Sequence, residues 1–61
     1  MEKVVNIKKE CKEMPLIWYN SFVGQSFGYL KEDEDAYYVR DYDGYINFVF
    51  KEDCIVETLK E

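Results

Sequence analysis

A chain of 61 residues has room for one domain, and this one is acidic: thirteen Asp and Glu against eight Lys and Arg leave a net charge of −5. The basic residues are scattered apart from Lys8, Lys9 and Lys12, which argues against direct binding of nucleic acid through its phosphates. Histidine is absent, which removes the usual general base and the commonest metal ligand, and no apolar run approaches the roughly 20 residues that span a bilayer.

So short a chain buries only about 60% of its unfolded surface, so its stability margin is thin. Six Tyr, four Phe and one Trp can fill the core without a metal or a disulfide. Cys11 and Cys54 stand far apart, and the start of the chain lacks the apolar run and small-residue cleavage site of a signal peptide. Both are therefore read as reduced thiols of a cytoplasmic protein.

Residues 3–9 predict a first strand, with Val5 and Ile7 on one face and Val4, Asn6 and Lys8 on the other. Residues 9–22 form a long connection. Pro15 argues against a continuous helix or central strand there, and Leu16, Ile17, Trp18 and Tyr19 predict that the loop folds down onto the sheet. Gly24 marks a turn or bulge as the second strand opens, and residues 26–32 continue it.

The acidic run Glu32-Asp33-Glu34-Asp35 reads as a solvated hairpin turn, since a calcium loop would need a central Gly and a distal Glu. Residues 36–41 and 45–51 predict the third and fourth strands around the turn Asp41-Tyr42-Asp43-Gly44. Lys51-Glu52-Asp53 reads as one helical turn, and residues 54–58 as a short last strand.

This order is a strand, a long loop carrying Trp18-Tyr19, Val23-Gly24 ahead of Phe27, an acidic turn, Tyr37-Tyr38-Val39, a turn at Asp43-Gly44, and Lys51-Glu52-Asp53-Cys54 before a last strand. It resembles the SH3-like small barrels, above all the compact stand-alone forms of bacteria and their phages, over nearly the whole chain. The resemblance implies an all-β fold: one domain over residues 1–61, a five-stranded SH3-like barrel with a long first loop and a short helical turn before the last strand. It implies no activity, because such barrels host many unrelated functions. The acidic-aromatic loop motif and tyrosine–proline signature of the eukaryotic proline-reading forms are not evident. Their ligand residues are not carried over.

No constellation for catalysis stands out. Two cysteines make no zinc set, and neither has a histidine to activate it as a nucleophile. Asp41 and Asp43 are read as turn formers beside Gly44 rather than as an acid–base pair. No catalytic, cofactor or metal residue is assigned, and the chain is expected not to be an enzyme.

Strand alternation sorts the rest by face. Tyr37 and Val39, Phe27 and Tyr29, Ile46, Phe48 and Phe50, and Cys54 and Val56 are expected inside. Ala36, Arg40, Asn47 and Lys51 are expected outside. So is an apolar set of Val4, Leu30, Tyr38, Tyr45, Val49 and Ile55, which forms either one interaction patch or a scatter of unrelated exposed residues. Trp18 and Tyr19 are a second candidate contact, with Trp18 either closing one end of the barrel or meeting a partner. The expected function is a non-enzymatic protein-binding module, a phage- or prophage-encoded modulator or inhibitor of a host defence protein. The alternatives are a self-associating homodimer and an acidic mimic of nucleic acid.

Overall fold

The computed structural model describes residues 2–59. Five strands form one antiparallel sheet: β1 (Glu2–Ile7), β2 (Ser26–Glu32), β3 (Ala36–Arg40), β4 (Ile46–Phe50) and β5 (Cys54–Leu59). Their order across the sheet is β4-β3-β2-β1-β5, so four strands meander and the last returns beside the first. The sheet is open, with β4 and β5 as its edges. The fold is all-β, and its helical content is two 3-10 turns among the described residues, Trp18–Phe22 in the long first loop and Lys51–Asp53 before β5.

The turns form where their residues require it. Gly24 and Gly44 take φ values of +91° and +90°, a left-handed region that costs glycine little. Asp41 accepts the backbone amides of Asp43 (3.0 Å) and Tyr45 (2.9 Å), and its other oxygen accepts the Asn47 side-chain amide at 2.6 Å. This closes the β3–β4 hairpin by the aspartate turn chemistry that the sequence indicated.

Val5, Ile7, Tyr19, Val39 and Val49 are completely buried, with Cys11, Ile17, Phe27 and Cys54 around them. The long loop does fold down at Ile17, Trp18 and Tyr19, with Tyr19 as its anchor, whereas Leu16, expected to pack with them, is 98% exposed. The Tyr19 hydroxyl donates to the buried carboxylate of Asp53 at 2.5 Å, joining the first 3-10 turn to the second. The Asp53 carbonyl in turn accepts the amides of Lys8 (2.9 Å) and Lys9 (3.2 Å), just past β1. Burial, and then the bond to Asp53, hold the Tyr19 phenol well above the ordinary tyrosine range.

The expected faces hold for β1, β2 and β5: Phe27 is buried, Leu30 and Ile55 are exposed, and Cys54 lies inside. The fourth strand is the correction. The register sets Val49 opposite Tyr37 and Asn47 opposite Val39, so Val49 faces the core while Ile46 is 59% exposed. Polarity misleads at Asn47, whose amide is satisfied on the inner face by Asp41. Phe48 and Phe50 are half-buried and pack on each other, as an edge strand covered in part on both faces allows. Ala36, expected outside, is buried directly opposite Phe50.

Tyr19→Phe leaves the buried Asp53 carboxylate without its donor and is expected to cost about 1–3 kcal/mol in urea unfolding. Stability should also bracket neutrality. Lys51 and then Tyr29 lower the Glu32 carboxyl, and the Tyr38 hydroxyl and then the amides of Asp35 and Ala36 lower that of Asp33. Depressed carboxyls stabilise above their unfolded range and lose that contribution as pH falls through the folded values. The raised Tyr19 phenol, and a Cys54 thiol that burial pushes up to about 11, act in the opposite sense, stabilising until pH climbs above their unfolded range. Thermal melting is therefore expected to be flat from about pH 5 to 8 and to fall below about pH 4 and above about pH 9.

Candidate functional site

Of the residues singled out as contacts, two are withdrawn from the surface altogether. Tyr19 and Val49 are both 0% exposed. Trp18 is half-buried with its ring edge-on to Tyr19 and Phe27, and its indole N–H donates to the Phe48 carbonyl at 2.7 Å. Tyr38 is half-buried too, its hydroxyl given to Asp33 and its ring beneath Lys31.

Leu30, Tyr45 and Ile55 are exposed, but the sheet does not bring them together. Ile55 lies opposite Asn6, which lies opposite Ser26, and these polar neighbours are hydrogen-bonded to one another or to Glu57. Half-buried Val4 sits between Glu57 and Gly28. Leu30 falls at the bulge between Tyr29 and Lys31, and Tyr45 at the β3–β4 turn. Among the described residues, polar neighbours therefore flank Ile55 and Val4 on the outer face.

What the fold does assemble is a cleft of about 560 Å³ at one end of the sheet, lined by Cys11, Glu13, Met14, Glu34, Asp35, Phe50, Lys51 and Glu52. Three separate segments meet there for a topological reason. In an antiparallel meander the β2–β3 turn and the end of β4 share one end of the sheet. The descending first loop supplies the third wall.

A polar side chain fixes each wall. Asn20 organises the loop, its carbonyl oxygen accepting the Cys11 amide at 2.8 Å and its amide donating to the Met14 and Pro15 carbonyls at 3.2 and 3.1 Å. Asp33 organises the acidic turn by accepting the amides of Asp35 (3.0 Å) and Ala36 (2.9 Å). Lys51 ties turn to helix: its amide donates to the Asp35 carbonyl at 3.0 Å, and its ammonium pairs with Glu32 at 2.8 Å over the Tyr37 ring.

The cleft is lined by the apolar side chains of Met14 and Phe50 together with the acids Glu13, Glu34, Asp35 and Glu52. Cys11 lies in its wall and is 3% exposed. The other thiol, Cys54, is buried and stays protonated near neutral pH, because burial and then Asp53 raise it. The chemistry on offer at the cleft is apolar surface beside carboxylates. No group of three or more Cys, Asp or Glu among the described residues is disposed to hold a metal ion. Compared with known proteins, the chain gives no significant match to a family model, a curated protein or a solved structure.

The outer face and the core separate cleanly by substitution. Val49→Asp is expected to abolish cooperative unfolding by placing a charge among fully buried side chains. Tyr45→Ala, at a 72% exposed position, should shift stability by no more than about 0.5 kcal/mol in the same denaturation experiment.

Proposed function

We propose that this chain is a non-enzymatic protein-binding module that seats a segment of another protein in the cleft between its first loop, its acidic turn and its second 3-10 turn. The observation carrying this reading is the cleft itself: apolar surface from Phe50 and from Met14, which is 45% exposed, between segments that three hydrogen-bonded side chains hold ready. A preformed site loses little ordering entropy when a partner arrives.

An SH3-like fold is the natural frame for this reading. A fifth strand returning beside the first, a long first loop and a 3-10 turn ahead of the last strand all support it. The two buried free thiols favour a reducing compartment, and hence the cytoplasm. We assign the chain the role of a small bacterial or phage modulator of a host protein, in keeping with its size and with the resemblance. Self-association is the second reading, favoured by β5, whose outer edge has no neighbour in the sheet.

The test is a capture from bacterial lysate with tagged wild type beside a Met14→Ser bait, together with the solution mass of the free protein. A partner held by the wild type and lost by the variant supports the cleft. Equal retention, or none, removes it, and a dimeric mass moves the reading to β5.

A further inference from the structure

Resting on the reading of the cleft as a partner site, we propose that its occupant is a basic segment of a protein. The aliphatic stem of an arginine or lysine lies on Met14 and Phe50, and the charged head sits among Glu13, Glu34, Asp35 and Glu52. The charge on the lining carries this. Four carboxylates and one lysine line the cleft, and that lysine is already committed to Glu32 at 2.8 Å.

Two sets among the acids of this chain contrast. Glu32, Asp33, Asp41, Asp53 and Glu57 each accept a hydrogen bond that holds a strand, turn or loop in place. Glu13, Glu34, Asp35 and Glu52 make no side-chain hydrogen bond or ion pair among the described residues, yet all four line the same cleft as Met14 and Phe50. A cation entering a concavity lined by four carboxylates meets a field that favours it. Long basic side chains suit the place because their stems cover apolar surface while their heads meet carboxylates. The same field repels the phosphates of nucleic acid and of anionic lipid.

The experiment is a two-dimensional amide NMR titration of the full chain. One probe is a short capped Gly/Ser peptide carrying two arginines around a leucine, and the other is its twin with norleucine in place of each arginine. The arginine peptide should shift the amides of Glu13, Met14, Glu34, Asp35, Lys51 and Glu52, and the twin should not. Glu34→Lys/Glu52→Lys should weaken the arginine peptide about tenfold or more, and added salt should weaken it further. If that variant loses its dispersed spectrum, Glu34→Gln/Glu52→Gln takes its place.

Equal binding of the twin, shifts spread over Glu2, Glu10 and Asp43 instead, or no shifts at all would overturn the proposal. Should the peptide fail while a lysate partner is held by the wild type and lost by Met14→Ser, the cleft survives as a partner site and the cation does not. If both fail, the reading of the cleft falls as well.

Discussion

The hydrogen bond from Tyr19 to Asp53 is the contact on which the rest of this small protein depends. Both groups are buried, so each would be costly alone, and each removes the other's cost. The bond spans 34 positions of sequence and fastens the two 3-10 turns together. Through the Asp53 carbonyl it also reaches the end of β1. A loop that would otherwise hang from the sheet becomes its lid. Tyr19 carries Ile17 and Trp18 down with it and so completes a core that five short strands could not close by themselves.

The same economy appears at the polar surface. Asn20, Asp33 and Asp41 each satisfy several backbone groups of one turn, so most of the irregular chain is shaped by single side chains. Two of those turns wall the cleft. Its geometry is therefore set by the residues that fold the protein, while the side chains of its four acids make no hydrogen bond or ion pair among the described residues. A division of that kind lets those acids vary without disturbing the scaffold.

Much of the fold was legible in the sequence because local chemistry and tertiary demand agree there. The strand limits follow aromatic and β-branched runs ended by Gly24, the acidic turn and Gly44, and Lys51-Glu52-Asp53 forms its turn where expected. The inner residues of β1, β2 and β5 follow from alternation alone. The fourth strand defeated the same rule, because Asn47 is a polar residue satisfied on the inner face and Phe48 and Phe50 are aromatics left half-covered at an edge. For the outer apolar set, left open between one patch and a scatter, the registers place Asn6 and Glu57 among its members. The cleft escaped notice because its walls lie far apart in sequence. Its one visible signal was that the acidic turn and the end of the fourth strand must share an end of a meandering sheet. Tyr19 reads by sequence both as part of the folded-down loop and as an aromatic contact, and the buried carboxylate that receives its hydroxyl draws it wholly inside.

The indole of Trp18 has a consequence beyond packing. Bonds from Asp41 to Tyr45 and from Lys51 to Asp35 bracket the β3–β4 ladder, and the alternation between them leaves Tyr38 and Phe48 as a pair that exchanges no backbone bonds. The Phe48 carbonyl thus points off the rim of the sheet, and the tryptophan occupies it. An incoming strand would find that acceptor already taken and a bulky ring in its path. The chain's single tryptophan acts as a stopper against templated stacking of one molecule on the next, a hazard that grows with concentration and that a short, aromatic-rich, antiparallel sheet would otherwise invite.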